Sequence, residues 1–138
     1  MLSKIRKQQL LDEGLSETRD LDGELEDFFK EKLVDPDFLQ YIMEDNGTFV
    51  STAAIIYYDF PPSYSNMTGK RAYLTNVYTA DKYRRHGFAK IVIEKLLDET
   101  AKRNINYIWL GASKMGKHLY ESLGFEGPDD LMVLKLEK

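Results

Sequence analysis

The segment YRRHGFA, residues 83–89, decides the fold, because it lies between a strand-like run and a helix-like run. Arg84, Arg85 and Gly87 stand where that helix should begin. The first N–H groups of a helix have no partner inside it, and the helix dipole adds partial positive charge there. Gly87 has no Cβ, so an anion can approach the main chain closely. The segment therefore predicts a phosphate-binding turn at the start of a helix.

The spacing of this segment separates it from other phosphate-binding motifs. It reads Arg-x-x-Gly-x-Ala from Arg84 to Ala89. Dinucleotide-binding folds carry Gly-x-Gly-x-x-Gly, and P-loops carry Gly-x-x-x-x-Gly-Lys-Ser/Thr. A solvated basic turn is the alternative interpretation of such a charge cluster. The position of the glycine, the helix start and the preceding strand favour phosphate binding over that alternative.

With its flanks, the motif resembles the pyrophosphate-binding motif of the GNAT superfamily of N-acetyltransferases, Gln/Arg-x-x-Gly-x-Gly/Ala. Residues 76–90 are similar to the fourth strand and third helix of that family. Residues 110–125, with Leu-Gly-Ala-Ser at their start and Leu-Gly-Phe at their end, are similar to its fifth strand and fourth helix. The specific resemblance covers about residues 70–138.

The resemblance implies an α/β fold with a mixed, mostly antiparallel central sheet and about four flanking helices. The strand that usually opens the family is missing from this sequence, which starts almost directly in the first helix. We therefore expect a sheet edge that is open to a partner chain, and a homodimer is a possible consequence. The expected helices cover 3–13, 21–34, 88–103 and 113–123, and the expected strands cover 38–44, 48–60, 70–79, 107–110 and 131–136.

Size and composition limit the classes of function. The 138 residues fit one domain spanning 1–138, with 43% hydrophobic and 30% charged residues. A net charge of −4 opposes a nucleic-acid-binding module, for which only the basic cluster at 82–86 speaks. The absence of cysteine excludes disulfides and a thiol nucleophile, and two histidines give little support for a metal site. No apolar run is long enough to cross a membrane, and we expect a cytoplasmic protein.

Acetyl-CoA is the co-substrate that the resemblance implies. The main chain at the end of the third expected strand would pair with the pantetheine arm and face the thioester oxygen. The turn and the helix start would hold the pyrophosphate, and a serine stands where many relatives have a cofactor-contacting asparagine. The residues assigned to the cofactor are Val77, Tyr78, Thr79, Arg84, Arg85, His86, Gly87, Phe88, Ala89, Lys90, Ser113 and Gly116.

Tyr120 is the candidate catalytic residue. Positions 113, 116, 117 and 120 share one helix face, and Gly116 would let a ligand lie close to it. A tyrosine with an ordinary pKa of about 10 is protonated at neutral pH and can donate to a departing thiolate. Family members carry a tyrosine here in that role, whereas a core aromatic residue is the alternative interpretation. We expect His86 near the phosphates and His118 on the surface.

The general base stays open at the level of sequence. The fourth family strand offers Asn76 and Tyr78 but no carboxylate. Asp12 and Glu13 could face the acceptor, although a surface position is favoured, and a water relay would leave no trace in the sequence. The loop at 61–69, rich in Pro, Ser, Asn and Gly, is expected to act as a lid that sets acceptor specificity.

Two functions from different classes follow from these residues. The leading one is an N-acetyltransferase that moves an acetyl group from acetyl-CoA to a primary amine of a small molecule or peptide, by direct attack in a ternary complex. The alternative is a non-catalytic acyl-CoA-binding or regulatory domain that keeps the cofactor groove. Turnover of acetyl-CoA in the presence of amines separates the two.

Overall fold

A mixed α/β sheet with four flanking helices forms the computed structural model, which describes residues 1–15, 17, 19–113, 116–127 and 131–136. This architecture confirms the expected fold class. The helices are α1 (Leu2–Asp12), α2 (Asp22–Lys32), α3 (Phe88–Lys102) and α4 (Lys117–Ser122). The strands are β1 (Phe38–Asp45), β2 (Thr48–Asp59), β3 (Lys70–Thr79) and β4 (Ile108–Trp109), and a 3₁₀ turn covers Asp81–Tyr83.

The four strands lie side by side in the order β1-β2-β3-β4. The first three are antiparallel neighbours, whereas β4 runs parallel to β3 after the crossover through α3. The β1–β2 turn is built from Asn46 and Gly47, both with positive φ, at 49° and 83°. Two such residues match the right-handed twist of a hairpin, and they join the expected strands at 38–44 and 48–60. In this order β1 forms one edge of the sheet.

Apolar side chains pack on both faces of the sheet. On one face, Ile93 and Leu96 of α3 are fully buried against Ile55 and its neighbours. On the other, Phe29 of α2 packs edge-on against Phe38 at 6.5 Å between ring centroids. Full burial of an aliphatic side chain stabilises the fold by about 1.5–3 kcal/mol. The apolar stripe of α3 thus holds this helix on the sheet. The position of the helix in turn sets the position of the predicted phosphate turn before it.

A bulge in β3 separates its end from the rest of the sheet. Thr52 pairs with Tyr78 and Ala54 with Thr75, so one residue of β2 faces two residues of β3. Asn76 lies in this bulge with φ 55°, a conformation that asparagine tolerates better than most residues. Bulges bend a strand and increase its local twist. The described part of β4 pairs with β3 only at residues 72 and 73, so the later residues of β3 leave an unpaired edge on that side.

Three expected elements differ from the structure. The predicted last strand is wrong for the described residues 131–136, which form no strand and are exposed. The apolar run LMVL at 131–134 is typical of a strand, but a strand also needs a partner, and the described β4 has only two residues. The expected strand at 107–110 is reduced to two residues in the structure, and its Trp109 is 37% exposed. The fourth helix is shorter than expected, and no described helix has the length and apolarity to span a membrane.

Candidate active site

A cleft of about 790 Å³ opens where β3 parts from β4. Its walls are the C-terminal end of α1, the last residues of β3, the turn before α3, and α4. The bulge favours this position, because bulges bend a strand, and the described β4 pairs with β3 only before the bulge. A pocket of this size falls in the range of small-molecule and cofactor sites.

The cleft gathers the residues that the sequence singled out, with one exception. His86 does not line it, and its ring instead lies beside Phe88 at 5.7 Å between centroids. His118 is exposed on α4, as expected, and also borders the cleft. The predicted residues that line the cleft are Val77, Tyr78, Thr79, Arg84, Arg85, Gly87, Phe88, Ala89, Lys90, Ser113, Gly116 and Tyr120.

The turn before α3 has an unusual backbone. Arg85 and Gly87 both have positive φ, at 67° and 78°. For a residue with a side chain this conformation costs about 1–2 kcal/mol, and such strain is concentrated at functional sites. Among the described residues, no side chain caps the N–H groups of the first turn of α3. A Cβ at Gly87 would meet no atom within 4 Å, so the space above this glycine is open. The turn thus presents N–H donors to an open space.

The two arginines of the turn have different surroundings. Arg84 donates from Nε to the Thr79 carbonyl at 3.0 Å, and its terminal nitrogens pair with Asp12 at 2.7 Å and Asp81 at 3.3 Å. These contacts bind Arg84 to the protein itself. Arg85 is exposed and makes no ion pair with any carboxylate of the described chain. Of the two guanidinium groups, that of Arg85 is therefore the one available to a ligand.

Asp12 connects α1 to the other walls of the cleft. Its carboxylate accepts hydrogen bonds from Gln8 at 2.8 Å, the Tyr78 hydroxyl at 2.9 Å and Arg84 at 2.7 Å. The bond from Gln8, followed by those from Tyr78 and Arg84, lowers the pKa of Asp12 below its ordinary value. Burial first, and then the bond to Asp12, raises the pKa of Tyr78. Asp12 and Glu13 are exposed, in agreement with the favoured surface position, and both also border the cleft.

Gln9 is a cleft residue that the sequence did not reveal as functional. It is 5% exposed, and its side-chain nitrogen donates to the Val77 carbonyl and to Glu13 Oε1, each at 3.1 Å. In the sequence Gln9 sits within the apolar periodicity of the first helix. A polar residue on the apolar face of a helix was the available signal, because buried polar groups require partners.

Tyr120 stands on the α4 side of the cleft. Its half-buried ring packs edge-on against Phe125 at 6.0 Å, and a Cβ on Gly116 would come within 2.8 Å of it. Its hydroxyl makes no hydrogen bond within the described part of the chain. Burial first, and then the negative charge of Glu13, raises the pKa of Tyr120. The phenol therefore stays protonated at neutral pH and can act as a donor.

Ser113 organises the start of the α4 region. Its Oγ accepts a hydrogen bond from the Gly116 N–H at 3.2 Å, and its carbonyl accepts one from Lys117 at 3.1 Å. Gly116 itself is the N-cap of α4, so the bond from Ser113 fixes the residue that precedes the helix and does not cap the helix. Gly124, with φ 97°, follows the C-cap Leu123 and prevents the helix from continuing. The Phe125 N–H donates to the Tyr120 carbonyl at 3.0 Å. This is the hydrogen bond across six residues that defines a Schellman motif.

The expected lid does not reach this cleft. The loop at 61–69 precedes β3, whereas the cleft lies at the end of that strand, and none of its residues borders the cleft. The loop folds back on itself through reciprocal main-chain bonds between Ser63 and Asn66 at 3.0 and 3.1 Å. At about 3.3 Å per residue, Gly69 and Val77 are roughly 26 Å apart along the strand. Over the described residues, no three His, Asp or Glu side chains are grouped so that they could hold a metal.

Known proteins share this fold and part of the sequence. The profile of the acetyltransferase (GNAT) family matches residues 4–125. A predicted acetyltransferase from Clostridium acetobutylicum, crystallised with acetyl-CoA, has a TM-score of 0.93 and 41% identity over 98% of this chain and 88% of that one.

More distant structures share the fold at low identity. A GCN5-related N-acetyltransferase from Ralstonia eutropha JMP134 has a TM-score of 0.84 and 21% identity, over 99% of this chain and 91% of that one. Glucosamine-6-phosphate N-acetyltransferase from Arabidopsis thaliana has a TM-score of 0.73 and 20% identity, over 99% and 95%. No functionally curated protein shows significant sequence similarity to this chain. The family profile and the 41% identical relative show that the chain belongs to the GNAT family of acetyltransferases.

Proposed function

We propose that this protein is a single-domain N-acetyltransferase that moves the acetyl group of acetyl-CoA to a primary amine of a small molecule or peptide. The observation that carries the proposal is one continuous arrangement. The unpaired edge of β3 continues through the 3₁₀ turn at 81–83 to the Arg85–Gly87 turn, and Tyr120, whose hydroxyl has no hydrogen bond within the described residues, borders the same cleft. The 41% identical relative that was crystallised with acetyl-CoA supports the donor. A cysteine-free composition is compatible with the cytoplasmic location that we also propose.

The cofactor would lie along β3 and end at the turn. An exposed strand edge offers N–H and C=O groups to an extended ligand, and the amide-containing pantetheine arm can pair with Val77 and Thr79. The pyrophosphate would meet the first N–H groups of α3 above Gly87. Arg85 and Lys90 would supply positive charge, while Arg84 holds the turn in shape through its contacts with the protein. His86 takes no direct part in this arrangement, because it lies outside the cleft.

The chemistry needs orientation, an oxyanion partner and an acid. A main-chain N–H near Val77 or Tyr78 would stabilise the oxyanion that develops on the thioester carbonyl. The raised pKa of Tyr120 keeps its proton available for the departing thiolate. The chain contains no cysteine, so a thiol cannot carry the acetyl group between donor and acceptor. Direct attack of the amine in a ternary complex requires none of these groups to form a covalent bond.

The test separates catalysis from mere acyl-CoA binding. The purified protein is titrated with acetyl-CoA by calorimetry, and thiol release and amide formation are then followed with a panel of primary amines. Binding of acetyl-CoA together with an acetylated amine, identified by mass spectrometry, is the expected result. Tight binding without any acetylated product would support the alternative of a non-catalytic acyl-CoA-binding domain. Absence of acetyl-CoA binding would contradict both functions.

A further inference from the structure

The C-terminal end of α1 brings two carboxylates to the mouth of the cleft, and their surroundings differ. Asp12 accepts hydrogen bonds from three side-chain donors, which are an amide, a phenol and a guanidinium group. Glu13 follows it in the sequence, borders the same cleft and is exposed. Glu13 receives one hydrogen bond and forms no ion pair with a basic side chain of the described chain. Its negative charge is therefore open to a ligand.

Gln9 fixes Glu13 relative to the strand on which the thioester is proposed to lie. Its buried side-chain nitrogen donates at once to Glu13 Oε1 and to the Val77 carbonyl, each at 3.1 Å. Two acceptors around one end of the amide identify that end as nitrogen. Positions 9 and 13 share a helix face, so the contact follows directly from helical spacing. The carboxylate is thus held two hydrogen bonds away from the main chain of β3.

Glu13 and Tyr120 border the same cleft from different walls. Glu13 belongs to the α1 end, Tyr120 belongs to α4, and the end of β3 lies between these walls. After burial, the charge of Glu13 is the next cause of the raised pKa of Tyr120, as expected for a carboxylate within electrostatic reach of the phenol. A proton donor and a carboxylate therefore serve one space, in which the acceptor and the thioester would meet.

We infer that Glu13 binds the ammonium group of a cationic primary amine and accepts the proton that this amine must lose before attack. Gln9 is the positioning residue that holds Glu13 beside Val77. The inference rests on the proposed function, because an ammonium site here serves acetyl transfer. It names the acceptor class by its charge, and it assigns the base that the strand β3 does not supply.

The protons and bonds balance with these groups. Glu13 takes one proton from the ammonium, and the neutral nitrogen then forms a C–N bond with the thioester carbonyl carbon. When the tetrahedral intermediate breaks down, the C–S electron pair leaves with sulfur, which receives a proton from Tyr120. The second proton of the attacking nitrogen restores the Tyr120 hydroxyl. The net products are an amide, the free thiol of CoA and one proton, which Glu13 releases to water.

The test compares Glu13→Gln with the wild type, and uses Glu26→Gln as a matched control on the exposed face of α2. The probes are cadaverine, which is cationic, and hydroxylamine, which is largely uncharged near pH 8. We expect Glu13→Gln to lower kcat/KM for cadaverine by about 10²-fold or more, the usual scale of acid–base catalysis. For hydroxylamine the loss should stay below about threefold, because no ammonium must be bound or deprotonated. Acetyl-CoA affinity should not change, and the control should behave as the wild type.

The outcomes separate the inference from the proposed function. Equal losses for both probes, or a cadaverine kcat/KM within about twofold of the wild type, would overturn the role of Glu13 and leave the acetyltransferase intact. If the wild type acetylates neither probe nor any other primary amine, the proposed function and this inference fail together.

The positioning role of Gln9 is tested by a double-mutant cycle. Gln9→Met removes the donor at similar size and should lower kcat/KM for cadaverine in the wild-type background. In the Glu13→Gln background it should cost less than about twofold, because its effect passes through Glu13. A purely structural role for Gln9 would give the same loss in both backgrounds, and that result would overturn the assignment.

Discussion

Replacing Gly116 with alanine should displace the proposed acid without touching its hydroxyl. A Cβ at position 116 would lie 2.8 Å from Cε2 and 3.4 Å from Cζ of Tyr120. Its φ of −87° is ordinary, so alanine adds no backbone strain at this position. The ring must instead move by about 0.6 Å to restore normal contact between carbon atoms. Because Phe125 and the core pack against the same ring, the movement is directed toward the cleft or along it.

The expected size of the effect follows from this displacement. A shift of about 1 Å at a catalytic group commonly costs about 10²-fold in rate. We therefore expect Gly116→Ala to lower kcat by about 10- to 100-fold. The free energy of unfolding should fall by about 1 kcal/mol, since Gly116 is the N-cap of α4 and alanine is a poorer N-cap than glycine. Calorimetry with acetyl-CoA determines whether the new methyl group also obstructs the cofactor.

Gly23→Ala is the matched control. It lies in α2, and a Cβ there would meet nothing within 4 Å. The control should be stabilised by up to about 1 kcal/mol with unchanged kcat. Gly116→Ala is also measured in a Tyr120→Phe background, where a displaced hydroxyl can no longer matter. An unchanged kcat in the single variant, or independent losses that multiply in the double variant, would refute the reasoning.

The other predictions concern the acid, the turn, the loop and the α1 contact. Tyr120→Phe should lower kcat by about 10²-fold or more with unchanged acetyl-CoA affinity. If the variant releases thiol as fast as the wild type while chemistry is rate-limiting, Tyr120 serves packing and not catalysis. Arg85→Ala should weaken the binding free energy of acetyl-CoA, measured by calorimetry, by about 1.5–3 kcal/mol, the value of one charge-assisted contact. Unchanged affinity would show that Arg85 does not contact the phosphates. Gly69→Ala should lower the free energy of unfolding in urea by more than about 2 kcal/mol, because φ is 74° and its Cβ would collide with the main-chain oxygen of Phe60. Asp12 has a lowered pKa in the folded state, so its contribution is present above its unfolded pKa of about 4 and is lost as the pH falls further. The destabilisation caused by Asp12→Asn should accordingly shrink below about pH 4, and a pH-independent difference would contradict this contact.

Local signals predicted the framework of the fold. The Asn46–Gly47 pair fixed the first hairpin because positive φ at both positions selects one kind of turn. The apolar stripe of α3 fixed the helix that packs on β2, and the phosphate turn follows from where that helix begins. Such features depend on residues close together in the chain, so one sequence is enough to recognise them. The last strand failed because its pairing depends on a distant partner that local propensity does not supply.

The acceptor side of the cleft could not be predicted in the same way. Gln9 and Val77 meet across 68 positions of the chain, and their contact depends on how α1 lies on the sheet. The bulge at Asn76 has the same difficulty, because asparagine permits a positive φ without requiring one. The loop at 61–69 had the composition of a lid but lies at the opposite end of β3. Composition can suggest a mobile loop, whereas only topology shows which end of a strand it serves.

Among the described residues other than glycine, positive φ occurs at three asparagines and at Arg85. Asparagine can offset this conformation with local hydrogen bonds, but arginine cannot, so the surrounding contacts must hold Arg85 in place. Arg84, bound to Thr79 and Asp12, supplies such contacts on the neighbouring residue. Asp12 in turn precedes Glu13 at the end of α1. One helix end therefore supports the strained turn that we propose for the cofactor and also carries the carboxylate that we assign to the acceptor, so a movement of α1 would alter both halves of the proposed site together.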